Sequence, residues 1–133
     1  MREILFRGKR TDNGTWAYGY LFCIWERTYL CWGTTNDVPN MKEVIPETVS
    51  QYTGLTDRNG VKMIFEGDIC KFKRFNDVHI GKVVFNVTTA SFIMWYQPIV
   101  GAYGEKATQK MLLSVCDNIE VVGNIHDNPE LME

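Results

Sequence analysis

The chain is poor in the residues that most often carry chemistry. It has two histidines, His79 and His126, and neither lies near a paired cysteine in the sequence. Its four cysteines, Cys23, Cys31, Cys70 and Cys116, form no CxxC pair, so the spacing offers no zinc site. GxGxxG, P-loop, HExxH and GxSxG patterns are all missing. GAYGEK at 101–106 lacks the Lys-Ser/Thr that completes a phosphate loop and reads as a mobile hairpin tip. No apolar run approaches the roughly 20 residues needed to span a bilayer. The opening MREILFRGKR has neither the apolar stretch nor the cleavage site of a signal peptide. There is no basic surplus: the net charge is −2 and the isoelectric point about 5.7, which disfavours nucleic-acid binding driven by the whole surface. Helical periodicity never persists over about 12 residues. These absences lead us to expect a cytoplasmic protein with reduced, mostly buried thiols, no metal, no cofactor and no membrane partner.

What is present is apolar and aromatic. Hydrophobic residues make up 45% of the 133 residues and aromatics 13%, enough for one compact domain or two small modules. Residues 3–9 read as a strand, TDNG at 11–14 as a turn because Asn13 and Gly14 tolerate a positive φ, and TWAYGYLF at 15–22 as the returning strand. Strict alternation puts Trp16, Tyr18, Tyr20 and Phe22 on one face and Ala17, Gly19 and Leu21 on the other. RTYLCW at 27–32 predicts a third strand, and GTTNDVPNMK at 33–42 a loop. Residues 43–54 fit either a short strand or a helical turn after Pro46. DRNG at 57–60 is a second turn, closed by Gly60. VKMIFEGDICKFKRF at 61–75 runs strand-like, interrupted by Glu66-Gly67-Asp68, and NDVHI at 76–80 reads as a turn. GKVVFNV at 81–87, SFIMWYQ at 91–97, MLLSV at 111–115 and NIEVVGNI at 118–125 are further strands, with a loop over 98–109. Pro129 begins a short helical turn capped by Asp127 or Asn128. Many short strands separated by Gly/Pro/Asn turns predict a mainly β fold, a β-rich α+β fold at most. The composition changes near 60–66, and a module boundary is set there: 1–62 for an N-terminal hairpin module, 63–133 for a second β module.

Three blocks carry a family resemblance: ILFRGKRTDNGTWAYGYL, IPETVSQYTGLTDRNGVKMIFEGDICKF and IEVVGNIHDNPEL. In this order they resemble the YopX family of small phage and prophage proteins, over roughly half of the chain. Residues 23–43 and 76–117 carry none of its motifs. The resemblance implies a β-rich protein whose second half is similar to a small SH3-like barrel, working in a bacterial host. It supplies no catalytic residues.

Each candidate site has a plain structural alternative. Glu66 and Asp68 could act as an acid–base pair or hold a divalent cation. The favoured alternative makes Gly67 a bend and Asp68 an acceptor for backbone N–H groups. Lys71, Lys73 and Arg74, with Lys82 across a hairpin, form a basic strip. Phe75, on the lysines' face, is its stacking candidate for single-stranded nucleic acid, and Phe72 points to the core. Arg7, Lys9 and Arg10 could extend the strip. The aromatic stripe Trp16, Tyr18, Tyr20 and Phe22 reads first as the buried face of a hairpin, with a peptide- or base-stacking platform as the functional alternative and part of it left over as an interface. A homo-oligomer contact is the simplest such interface. Trp25, Trp32 and Trp95 allow the same two readings. Cys31 and Cys116 would be nucleophiles only beside a base, and both histidines are expected to be exposed turn residues. The leading expectation is a non-enzymatic interaction module that self-associates or binds an unknown phage or host protein. Nucleic-acid binding is the alternative.

Overall fold

The computed structural model describes residues 2–100 and 103–132. The fold is mainly β, and its chain divides into two units, Met1–Gly54 and Leu55–Glu133. The division falls at Gly54, ahead of the boundary read from composition at residue 62.

The first unit holds β1 (Phe6–Lys9), β2 (Trp16–Ile24), β3 (Arg27–Thr35), β4 (Val38–Glu43) and the start of β5 (Ser50–Thr56). They pair in the order β4-β3-β2-β1-β5, all antiparallel. Gly14, at φ +70°, lets the chain reverse between β1 and β2 as the TDNG signal predicts. Residues 33–42 are not the expected loop. β3 runs on to Thr35, and Asn36-Asp37, both at positive φ, make a two-residue turn into β4. Composition misled there because Gly33 and Pro39 are accommodated by position. Gly33 (φ +131°) sits where the β3–β4 register shifts, and Pro39 lies on the edge strand, where a missing N–H costs no ladder bond. Residues 43–54 hold both alternatives in turn: a 3-10 turn at Pro46–Thr48, then β5. Ala17, Leu30 and Val44 are buried together, flanked by Phe6 and Val49, and form this unit's core.

The second unit carries β6 (Met63–Phe65), β7 (Asp68–Arg74), β8 (Asp77–Asn86), β9 (Ser91–Tyr96), β10 (Ile99–Val100), β11 (Glu105–Lys106), β12 (Gln109–Leu112) and β13 (Asp117–Asn124). Five of these form one antiparallel sheet in the order β12-β9-β8-β7-β13. β7, β8 and β9 are consecutive neighbours and β12 adds at the edge; a 3-10 turn at Leu113–Val115 then leads β13 back to pair with β7. This is compatible with the SH3-like arrangement the resemblance implies. Among the described residues no ladder closes β12 onto β13. The expected strand at 111–115 is thus half strand and half 3-10 turn. The expected loop over 98–109 contains the β10–β11 pair, and Gly101 and Ala102 of the supposed mobile tip lie outside the described residues. Cys70, Phe72, Val83, Met94 and Tyr96 share the inner face and pack with Ile64, Leu113 and Ile119. Fully burying such a side chain stabilises by about 1.5–3 kcal/mol.

Candidate functional site

The aromatic stripe of β2 faces outward. Ala17 and Gly19, the small positions, are buried, whereas Tyr18 and Tyr20 are 47% and 60% exposed and Trp16 and Phe22 half-buried. The reason is close packing on the small face: a Cβ on Gly19 would lie 2.4 Å from the Cys31 carbonyl oxygen. Strand register extends the aromatic face sideways. Arg7 lies opposite Tyr18, Lys9 opposite Trp16, and Tyr29 opposite Phe22 with the two rings stacked at 5.3 Å. The Arg7 guanidinium lies 4.8 Å and the Lys9 ammonium 5.4 Å from the Trp16 ring centroid. Trp32, just before the irregular Gly33, lines a groove with Arg10, Trp16, Ala17 and Tyr18, of about 330 Å³. At its rim Arg10 makes a two-pronged bond to Asp12 (2.9 and 2.6 Å), and Lys42 lies 3.6 Å from the same carboxylate. That pairing raises the Arg10 pKa and lowers that of Asp12. The unit thus combines an exposed aromatic face with a groove lined by Arg10, whose guanidinium is paired with Asp12.

At the far end of β2, Trp25 and Glu26 form the two-residue turn into β3, at φ +47° and +71°. Trp25 is 94% exposed. β1 ends its pairing at Gly19, and β4 pairs with β3 from Tyr29 onward, so Ile24–Arg27 stand beyond both flanking strands. Nothing in the residue types WE marks a turn; only the length match of the flanking strands does.

The basic strip is split. Lys71 and Lys73 are exposed on β7 and Phe72 is in the core, as alternation requires. Phe75 does not share their face. Phe75-Asn76, both at positive φ, form the β7–β8 turn, and the Arg74 guanidinium covers the Phe75 ring at 4.2 Å. The turn expected over NDVHI is therefore displaced, and Asp77–Ile80 belong to β8. Register also sets Glu120 opposite Lys71 and Asp117 opposite Lys73, so acids flank two of the strip's cations. Lys82 lies 4.8 Å over the Trp95 ring, and Lys110 is opposite Trp95 on the other side. Sequence reasoning missed Lys110 and Trp95 as a pair because β12 follows β9 only after an intervening hairpin.

Glu66-Gly67 is the turn between β6 and β7, with Gly67 at φ +87°. The Gly67 N–H donates to the Val83 carbonyl at 2.8 Å, and its carbonyl accepts from Ile125 N–H at 2.9 Å. Asp68 is 1% exposed, and its Oδ2 accepts the Phe65 N–H at 2.8 Å. Glu66 is only partly buried; burial raises its pKa, opposed by a hydrogen bond from the Phe85 N–H. The two acids stand on either side of Gly67, yet one is inside and one near the surface. A second carboxylate that the sequence did not single out, Asp57, is buried and gathers the N–H groups of Asn59, Val61 and Lys62 at 3.2–3.3 Å. It holds the DRNG turn, where Gly60 takes φ +69°.

His79 is not in a turn: it lies in β8 with its ring 5.7 Å from that of Phe72 and 4.9 Å from that of Tyr96. His126 is in a turn, with its N–H on Asn124 Oδ1 at 3.0 Å. Of the thiols only Cys70 is buried, against the expectation that most would be. Burial pushes the Cys116 thiol up to about 11, the opposite of what a nucleophile needs.

The family model described as "YopX protein" matches residues 5–133, nearly the full length. The chain belongs to the YopX family. Its match includes 23–43 and 76–117, the segments without a recognisable motif, so the hairpin arm, β8 and β9 all lie within the family's span. No match is found among curated proteins. No helix among the described residues of this YopX-family chain is long and apolar enough to cross a membrane.

Proposed function

We propose that this YopX-family chain is a non-enzymatic interaction module of a phage or prophage, acting in the cytoplasm of the bacterial host, which self-associates or binds a protein partner. The observation that carries this reading is the outward aromatic face of β2: Tyr18 and Tyr20 stand exposed while the small neighbours Ala17 and Gly19 are buried. Contiguous exposed aromatics are the usual core of a protein interface, because each ring buries a large apolar area at little entropic cost. Further support comes from the buried, hydrogen-bonded Asp68 and the raised thiol of Cys116, which take up two candidate catalytic groups. The test is light scattering and sedimentation of the wild type against Tyr18→Ser/Tyr20→Ser. The double variant should keep the fold and lose the association. A wild type that is monomeric up to about 100 μM, with host-extract pull-downs unaffected by the double variant, sinks the reading.

A second reading, single-stranded nucleic-acid binding, is favoured by the Lys82–Trp95–Lys110 row, with Lys71 and Lys73 on the same sheet face. It predicts oligonucleotide binding at about 50 mM salt that weakens in Lys82→Ala and Trp95→Ala. Failure to bind at that salt would dispose of it.

A further inference from the structure

Resting on the self-association reading, we infer that the partner is a second copy of this chain, and that the Trp25 hairpin tip of each copy fills the Arg10–Trp16–Tyr18–Trp32 groove of the other. Three observations carry this. First, the tip is built against local preference. Asn and Gly suit a turn with two positive φ angles, yet Trp25 and Glu26 occupy it, and Trp25 is almost wholly exposed. A strained conformation that presents a large aromatic to solvent is a reason to look for what it meets. Second, the same unit has a groove of matching chemistry. It is aromatic on its walls, about 330 Å³ in volume, and lined by the Arg10 guanidinium, beside which Asp12 and Lys42 lie. Glu26, beside Trp25 at the tip, is the acid placed to meet Arg10 of the groove, with Arg27 following it at the start of β3.

Third, the tip cannot serve its own groove. Trp16 and Trp25 stand at opposite ends of the β2 strand and its turn, nine residues apart at about 3.3 Å each, or roughly 30 Å. Two copies laid antiparallel remove the mismatch. The midpoint of the 16–25 span falls between Tyr20 and Leu21, so a two-fold axis there sets each tip over the partner's groove and places the Tyr18–Tyr20 faces against each other. The arrangement closes on itself, and uses the exposed aromatics at both ends of the strand. It does not use the β4 edge, where Pro39 and Lys42 disfavour strand addition.

The experiment is sedimentation equilibrium of the wild type and Trp25→Asn over about 1–100 μM. Asn is at home at positive φ, so the variant should retain the wild-type circular dichroism spectrum; Trp25→Gly is the second variant should it not. The expected result is a wild-type dimer whose dissociation constant rises at least about 10-fold in Trp25→Asn, as for a central aromatic anchor. Glu26→Arg should weaken the dimer, and Arg10→Glu in the same chain should restore part of the loss. If the wild type dimerises and Trp25→Asn dissociates no more readily, the tip-in-groove contact is overturned while self-association stands. If the wild type is monomeric throughout, both fall.

Discussion

Asp68 shows how much a single side chain decides. Its carboxylate is sealed from water and accepts the Phe65 N–H, so it fastens the end of β6 to the start of β7 across Gly67. Removing it leaves a buried donor unsatisfied. Asp68→Ala is therefore expected to destabilise by about 1–3 kcal/mol, measured by urea unfolding. An unchanged midpoint would show that Asp68 is not a fastening group. Glu66, two residues earlier, behaves oppositely. Burial raises its pKa above the unfolded value, so the folded chain holds its proton longer. Stability from this group is then fully present below the unfolded carboxylate pKa and declines as pH rises through the folded one. Glu66→Gln should consequently be more stable than wild type at neutral pH, with the two converging in acid. Thermal melts from pH 3 to 7 check this; a variant equally stable at both ends would mean the Phe85 hydrogen bond fully offsets the burial. The sequence made the contrast between these two acids legible through Gly67 alone, since a left-handed residue between them breaks the shared strand face.

Elements were legible where side chains alternate and obscure where turns use unexpected residues. The β1–β2 hairpin, β7, β9 and β13 follow from alternation and TDNG- or EGD-type signals. The β3–β4 hairpin and the start of β8 did not, because their turns are set by the pairing of the flanking strands and only partly by turn chemistry. Phe75-Asn76 is the clearest instance: Phe72 must face the core opposite His79, which forces the reversal two residues after Lys73. A phenylalanine at positive φ costs roughly 1–2 kcal/mol, and the Arg74 stacking contact returns about 0.5–1 at an exposed site. Phe75→Asn should thus raise stability by about 0.5–1 kcal/mol in urea unfolding. If it lowers stability, the Arg74–Phe75 pair contributes more than an exposed contact should. The candidate interface was half legible for a related reason. Alternation placed Trp16, Tyr18, Tyr20 and Phe22 on one face, but only the close approach of the Cys31 carbonyl to Gly19 shows that this face is the outer one.

At the scale of the molecule, the two units have cores with no residue in common. Ala17, Leu30 and Val44 are buried in one, and Phe72, Val83 and Met94 with their neighbours in the other. Deleting a fully buried side chain costs about 2–5 kcal/mol, and that loss acts first on the unit whose core it belongs to. Leu30→Ala should therefore raise amide exchange in β1–β4, while the β8 and β9 amides keep their protection. Val83→Ala should do the reverse, with a smaller effect because fewer atoms are lost. Hydrogen exchange followed by mass spectrometry of peptides from each unit reads both outcomes. Parallel loss of protection in both units from either substitution would show that the chain unfolds as one cooperative body. The Leu30 variant also bears on the aromatic face, because Leu30 lies in register with Leu21 on the β2–β3 arm. If that arm carries the self-association, Leu30→Ala should weaken it and Val83→Ala should leave it intact.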